Sequence, residues 1–244
     1  MSVYSGPEIS NENLVLCLDA ANPKSYSGSG VTWYDLSGNN RNATLFNTVQ
    51  YSTSNNGVMN FQRPAGVQGY ATIPTDATIS SEVFGISTTF TLSAWVYPRE
   101  YVDYAPLIAK AFGGSYSNTT AGLWVESGNN LRFVVGANVG SNPAGSSISV
   151  SYTAQINTWY NMVGVADGIN IIMYINGVSV GSTLLSGITI PRSENGSPIT
   201  IGTRSTANTP ELNALVGPIS IYNRGLSALE VQQNFNALRG RFGI

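Results

Sequence analysis

Histidine is missing from all 244 residues of the chain. Ser-His-Asp and Cys-His catalysis need imidazole as a base, and His-ligated zinc needs it as a ligand, so all three are excluded. Cysteine occurs once, so no disulfide can form within the chain. Cys17 lies in the apolar run Leu14-Val15-Leu16-Cys17-Leu18 and reads as a buried core thiol rather than a nucleophile. Charge is scarce: Asp, Glu, Lys and Arg make up 10% of the residues, against about 25% in an ordinary soluble domain. The eleven basic residues are scattered and form no patch for phosphates, so nucleic acid is not an expected partner. No basic amphipathic helix is present for attachment to a membrane surface, and no apolar run approaches the roughly 20 residues of a membrane-spanning helix. Met1-Ser2-Val3-Tyr4 leads into polar residues without the basic and apolar regions of a secretory signal, so the expectation is a chain without an export signal.

What remains is a chain able to fold. Disorder combines high net charge with few aromatics, whereas here the net charge is −2, with thirteen Tyr, eight Phe and four Trp. Ser, Thr, Asn, Gln and Gly fill the surface positions, and such a neutral hydrogen-bonding exterior suits carbohydrate or protein partners. Short strand-like runs recur between Gly, Asn, Ser and Pro clusters, the pattern of an all-β sandwich or barrel. Phe90, Leu92, Ala94 and Val96 alternate with Thr91, Ser93, Trp95 and Tyr97 on two faces of one strand. Leu123–Glu126 and Leu131–Val135 flank the turn Ser127-Gly128-Asn129-Asn130. Tyr160–Val165, Asn170–Ile175 and Val178–Gly181 form a meander broken at Asp167-Gly168 and at Asn176-Gly177, the latter a type I′ turn signal. Ile171 to Ile175 are apolar on both faces, which predicts a central strand covered on both sides.

One helix is predicted, over residues 226–239. Ser227-Ala228-Leu229-Glu230 has the capping-box spacing, with Leu226 and Val231 at the staple positions. Val231, Phe235 and Leu238 make one apolar stripe, and Gly240 follows as a stop. This helix is expected to pack against the sandwich edge or rim. Residues 1–69 read as one strand with long polar loops at 22–34 and 52–60, and residues 70–225 as the main sandwich, with a connection at 76–86. With no Pro-rich linker, charge run or internal repeat, residues 1–244 read as one domain. The predicted class is all-β, a two-sheet antiparallel β-sandwich with one short C-terminal α-helix.

Four segments in order, Phe90–Pro98, Asn157–Val163, Met173–Val178 and Ala214–Ser227, resemble the bacterial and phage LamG-like family within the concanavalin A-like lectin/glucanase fold. The resemblance covers most of residues 70–238 and implies a jelly-roll sandwich. The opening, Leu16–Tyr26 and then Thr32–Asn40, is similar to that of LamG-like proteins encoded by tailed phages. It implies a virion component, displayed as a tail fibre, neck or tail appendage, or head decoration. Other virion proteins are then the partners, with a homo-oligomer (a trimer, on the pattern of displayed phage modules) and host-surface glycan besides. No heptad seam specifies three-fold assembly. The alternative is a carbohydrate-binding lectin or adhesin of bacterial origin. Some members bind calcium through loop carboxylates, but here Ser220 replaces the usual closing Asp and Asn176-Gly177 replaces Asp-Gly.

The candidate sites follow from these readings. Glycoside hydrolysis needs two carboxylates flanking the scissile bond, which glucanases of this fold carry on one strand. No Asp or Glu pair at i, i+2 occurs in any predicted strand, so an enzyme is not expected, and no cofactor is required. Calcium would use Asp19 and Asp35, with turn formation as the favoured alternative for both, since Asp35-Leu36-Ser37-Gly38 is ordinary turn chemistry. Sugar binding needs exposed aromatic platforms beside polar groups. Trp33, Tyr34, Tyr101, Tyr104, Tyr116 and Trp124 are the candidates near loops or strand ends, while Trp95 and Trp159 are assigned to packing.

Overall fold

The computed structural model describes residues 8–64, 69–74, 79, 83–84, 88–111, 119–139, 142–185, 198–204 and 212–244. In chain order the first strands are β1 (Leu14–Leu18), β2 (Thr32–Trp33), β3 (Ala43–Phe46), β4 (Gln50–Ser52), β5 (Val58–Phe61), β6 (Tyr70–Ile73), β7 (Thr89–Pro98) and β8 (Ala105–Ala111). They are followed by β9 (Thr119–Glu126), β10 (Asn130–Val139), β11 (Asn142–Thr153), β12 (Tyr160–Asp167), β13 (Asn170–Ile175), β14 (Val178–Leu184), β15 (Ile199–Ile201), β16 (Ala214–Tyr222) and the helix α1 (Ala228–Phe242). The strands form two antiparallel eight-stranded sheets. One runs β14-β13-β12-β7-β16-β5-β4, with β1 also on β16, and carries the helix; the other runs β11-β10-β9-β8-β15-β6-β3-β2. The all-β sandwich with its C-terminal helix is as the residue pattern predicts.

The alternation in β7 holds. Phe90, Leu92, Ala94 and Val96 face the core between the sheets, with Leu107, Phe133, Met162 and Ile221, while Trp95 and Tyr97 face outward into a second cluster under the helix. The hairpin at Asn176-Gly177 has φ of 52° and 79° at its two residues, the left-handed conformation that a type I′ turn requires. In β16 the register with β7 shifts between Val216 and Ile219. Pro218 sits in that irregularity, where a residue without an N–H is tolerated. β5 pairs with Ala214–Val216 and β1 with Ile219–Tyr222, so two short strands share one edge of β16.

Three expectations are corrected. The amino-terminal stretch supplies five strands rather than one with loops, and β5 begins within the supposed loop at 52–60. The connection at 76–86 lies mostly outside the described residues, which there are Ile79, Val83 and Phe84, all three buried. The strand Asn170–Ile175 is not central: it stands next to the edge strand β14. Its inner face (Ile171, Met173, Ile175) joins the sandwich core, and its outer face gains cover because Tyr174 packs with Leu226 and Val231. Finally, the helix neither ends at Gly240 nor sits on the rim. It runs to Phe242, stops at Gly243 in the left-handed conformation (φ 72°) and crosses the outer face of its sheet.

Its two ends are held differently. Ser227 and Glu230 form the full capping box, and Glu230 also accepts from both terminal nitrogens of Arg224, at 2.5 and 2.9 Å. That pairing holds the Glu230 carboxyl down at about 2. Beneath the carboxyl end, Phe242 stacks on Trp95 with ring centroids 4.2 Å apart, and Phe235 stacks on it at 5.8 Å. Gly217 makes room for this: a Cβ there would lie 2.9 Å from both Phe242 and Trp95.

Candidate functional site

Strand direction gathers the carboxyl ends of β5, β7, β9, β11 and β15 and the amino ends of β8, β10, β12 and β16 at one end of the sandwich. The loops there are tied across both sheets. Ala154 N–H donates to the Asn129 carbonyl at 2.8 Å and Asn157 N–H to that of Pro98 at 2.7 Å. Arg99 donates from its backbone to the Asn213 carbonyl at 2.9 Å and from its guanidinium to the Asn60 side chain. Glu100 takes Asn213 Nδ2 at 3.3 Å and Arg63 at 3.4 Å. This is a braced platform, and its loops present side chains on a rigid base.

Tyr104 stands out on it. Among the described residues nine non-glycines have positive φ, and eight of them are Asn. The ninth is Tyr104, at φ 59°. Asn tolerates that conformation because its short side chain bonds locally, whereas an aromatic residue there costs about 1–2 kcal/mol. The residue is 41% exposed, and its ring lies over the Arg204 guanidinium at 5.1 Å, a cation–π contact. The ladder pairs Ala105 with Val125, so Tyr104 and Glu126 flank each other at its end. Glu126 is buried, with Oε2 3.3 Å from Arg132 and Oε1 without a hydrogen-bond partner. Burial, more than the nearby Asp103 charge, pushes its carboxyl up to about 7 against the pull of Arg132. Asp103 itself accepts a hydrogen bond from Ser127 Oγ.

The six aromatic candidates fall into separate groups. Tyr101, Tyr104 and Trp124 come together at this end, but only Tyr104 offers its ring. Trp124 is completely buried with Ala109 and Val134 on the outer side of its sheet. Tyr101 is partly buried against the core, and its hydroxyl is buried without a hydrogen-bond partner. Trp33 is likewise completely buried, so neither tryptophan is within reach of a solvent-borne ligand. Tyr34 is 49% exposed, but β2 points it toward the opposite end of the sheet from Tyr104. Tyr116 lies outside the described residues. Arg204 and the buried Glu126 were not legible as site residues, since both reach Tyr104 through pairing that has no local signal.

Asp19 and Asp35 flank β1, and each carboxylate already accepts protein donors. Asp35 takes Cys17 N–H and Ser37 N–H on one oxygen (both 2.9 Å), and Ser37 Oγ at 2.7 Å and Arg41 N–H at 3.1 Å on the other. Asp19 takes Ala21 N–H at 3.0 Å and holds Arg241 of α1 at 2.8 Å. Arg241 also donates to the carbonyls of Asn55 and Gly57, so Asp19 anchors the helix end to the amino-terminal loops. A cleft of about 320 Å³ opens beside it, lined by Cys17, Leu36, Ser220 and Leu238 among others. Burial pushes the Cys17 thiol up to about 12, which leaves it inert. No group of three or more His, Cys, Asp or Glu able to hold a metal occurs among the described residues. We expect calcium and EDTA to leave the melting temperature unchanged, and Asp19→Asn to lower stability by about 1–2 kcal/mol through Arg241. A calcium-dependent rise in Tm that Asp19→Asn abolishes is the contrary result.

Across the sixteen strands only Glu126 and Asp167 are acidic, each the last residue of its strand and in different sheets. Residues 65–232 match the family model of the concanavalin A-like lectin/glucanases superfamily. The chain belongs to this superfamily. No curated protein sequence matches it. Among solved structures, this concanavalin A-like chain is similar to the binding domain of botulinum neurotoxin DC in complex with rat synaptotagmin II, with a TM-score of 0.68 and 17% identity. That match covers 94% of this chain and 52% of the other. A botulinum neurotoxin type C structure, described as dependent for cell entry on two ganglioside molecules, matches at TM-score 0.67 and 18% identity, over 93% and 52%. The binding domain of Paraclostridial Mosquitocidal Protein 1 matches at 0.68 and 19%, over 93% and 52%. The chain thus spans about half the length of the solved structures it resembles, and at these identities the likeness is one of fold.

Proposed function

We propose that this chain is a non-enzymatic binding module of a tailed-phage virion, displayed as a fibre, appendage or head decoration. In this reading it engages host-surface glycan through the loop end around Tyr104, and its structural partners are other virion proteins and copies of itself. The observation that carries the binding role is Tyr104. A half-exposed aromatic residue is held in a costly backbone conformation on a braced loop platform. Strain of that kind persists only where surrounding contacts over-determine it, and it clusters at binding sites. A flat ring beside a guanidinium donor is the chemistry that receives the apolar face and hydroxyls of a sugar.

Three further points support the reading. The superfamily is that of concanavalin A-like lectins as well as glucanases. Two of the similar solved structures are binding domains, of botulinum neurotoxin DC and of Paraclostridial Mosquitocidal Protein 1, and a third is of botulinum neurotoxin type C, whose cell entry depends on interaction with two ganglioside molecules. The two strand carboxylates stand at opposite ends of the sandwich, and Glu126 is buried against Arg132, so these two do not form a pair that flanks an accessible bond. The phage assignment rests on the resemblance of the Leu16–Asn40 opening.

The test uses one substitution. Tyr104→Gly relieves the left-handed strain, so Tm is expected to stay within a few degrees of wild type. Binding on a host-glycan array is expected to fall at least about tenfold, the loss of roughly 1.4 kcal/mol. Retained binding in the variant would reject the site. Release of reducing sugar from host polysaccharide would reject the non-enzymatic reading, and absence from purified particles would reject the virion assignment.

A further inference from the structure

A guanidinium carries a planar fork of N–H donors and a charge that a carboxylate satisfies best. Arg63, Arg132, Arg224 and Arg241 each hold one, on Glu100, Glu126, Glu230 and Asp19. Arg99 is different. Among the described residues no carboxylate pairs with it, and its side chain donates to amide oxygens, Nη2 to Asn60 Oδ1 and Nη1 to Asn213 Oδ1 at 3.5 Å. The adjacent acid, Glu100, is engaged elsewhere: one oxygen takes Arg63 at 3.4 Å and the other takes Asn213 Nδ2 at 3.3 Å. That second bond turns the Asn213 amide so that its oxygen faces Arg99.

Neutral acceptors fix the guanidinium without cancelling its charge. Arg99 is half-buried, and burial holds its pKa below the ordinary arginine value, as for a cation that gives up water and gains no counter-charge. Stability alone favours Asp at position 60 or 213, where the same shape would complete an ion pair; Asn at both leaves the charge open. None of the Arg99 nitrogens is buried without a partner, so the donors that the two amides leave over reach solvent. An aromatic ring stands beside them. The Arg99 N–H donates to the Asn213 carbonyl at 2.9 Å, which carries the β7–β16 ladder one step past Pro98 and keeps Arg99 on the face of Tyr97. Tyr97 is itself half-buried, with its ring tilted against Trp159 at 5.5 Å between centroids.

We propose that Arg99 anchors an acidic-sugar subsite, in which its fork takes a sugar carboxylate and Tyr97 takes the pyranose ring beside it. The planar fork matches a carboxylate bidentately, and the ring two residues back along the strand is close enough for one saccharide to meet both. The subsite rests on the reading of this loop end as a glycan-binding surface and adds the charge class of the glycan, carboxylated rather than neutral. It also places the two contacts on one connection, since the link between β7 and β8 begins at Arg99 and ends at Tyr104.

The test follows the Arg99 Nε–H signal by NMR while the full-length chain is titrated with N-acetylneuraminate or methyl glucuronoside, and with the uncharged methyl ester of each. A saturable shift is expected with an acid and not with its ester. Asn60→Asp, which gives Arg99 a carboxylate of its own, is expected to weaken the acid at least about tenfold without lowering Tm, and Arg99→Gln to weaken it as much. No saturable shift with either acid up to about 50 mM overturns the proposal. So does an ester that binds as well as its acid, or an Asn60→Asp chain that binds unchanged. Sodium sulfate that shifts Arg99 as strongly as the acids reveals an indiscriminate anion contact and rejects the sugar subsite. An array with Tyr104-dependent binding of neutral glycans alone rejects the subsite and leaves the glycan-binding reading standing. Acid binding at Arg99 in a chain whose array binding survives Tyr104→Gly keeps the subsite and rejects the Tyr104 site.

Discussion

Trp95→Ala is expected to cost about 3–5 kcal/mol, the range for removing a buried tryptophan, and to release the helix before the sandwich. Trp95 is buried on the outer face of β7 and belongs to a cluster with Val58, Trp159, Phe235 and Phe242 that is separate from the core between the sheets. Phe242 stacks on it at 4.2 Å and also tilts against Trp159 at 4.5 Å. Removing the indole therefore takes the floor from beneath both helix aromatics, while Phe90, Leu92, Ala94 and Val96 keep their packing on the inner face of the same strand. At this length 1 kcal/mol moves Tm by about 2–4 °C, so a fall on the order of 10 °C is expected. Hydrogen exchange should show the amides of Asn234 to Phe242 losing protection at free energies where β7 and β12 stay closed. Trp95→Phe, which keeps a ring in place, should lose less than half as much. A Trp95→Ala protein with helix protection intact, or one in which the inner strands open together with the helix, would contradict the separate-cluster account.

That cluster also explains how far the fold can be read from residue pattern. Local rules sufficed where local chemistry decides. The two-residue period of Phe90–Tyr97, the Asn176-Gly177 turn and the Ser227–Glu230 box are each complete within ten residues, and the structure has each of them. The rule for Gly240 was equally local and gave the wrong helix end. A glycine inside a helix costs about 1 kcal/mol, and the packing of Phe242 on Trp95 and Trp159 outweighs that. The stop belongs to Gly243. Ile171–Ile175 misled for a related reason: apolar residues on both faces signal cover on both faces, and α1 supplies the outer cover that a central position was expected to give. β5 was hidden because Val58-Met59-Asn60-Phe61 is short and lies among Ser and Asn.

The site was less legible than the fold. Exposure decides which aromatic can meet a ligand, and exposure depends on distant chain. Trp33 and Trp124 look like Tyr104 in sequence, near turns with polar neighbours, yet only the tyrosine keeps its ring in solvent. The anchoring of Asp19 by Arg241 spans 222 positions of sequence, and nothing near Asp19 announces it. Asn at eight of the nine positive-φ positions is a legible signal; its one exception is visible only once the backbone is.

Stability is expected to fall between about pH 4.5 and pH 7, and Glu126→Gln to remove that fall. Burial raises the Glu126 carboxyl to about 7 from 4.5, so within this window the folded state holds a proton that the unfolded state has released. Stability therefore declines as pH rises through the window, and the full penalty stands above it. At about 1.36 kcal/mol per pKa unit the loss is on the order of 3 kcal/mol. Gln keeps the shape and an acceptor for Arg132 without the charge, so at pH 8 the variant should be the more stable protein, and at pH 4 the two should agree. Two other groups act outside this window and leave it clean. Glu230, held down at about 2 by Arg224 and the capping box, contributes about 1–2 kcal/mol above pH 4.5 that is lost as pH falls toward 2. Lys110, fully buried in register with Ala121 and Ile199, is lowered to about 8 from 10.5 by burial. Its folded state sheds a proton before the unfolded state does, so its effect is a gain as pH rises from 8 to 10.5. Denaturant titrations at pH 4, 5, 6, 7 and 8 resolve the slope. A wild-type profile flat across pH 5–7, or a Glu126→Gln profile with the same decline, would show that the carboxyl ionises at its ordinary value and that Glu126 is better solvated than its burial against Arg132 requires.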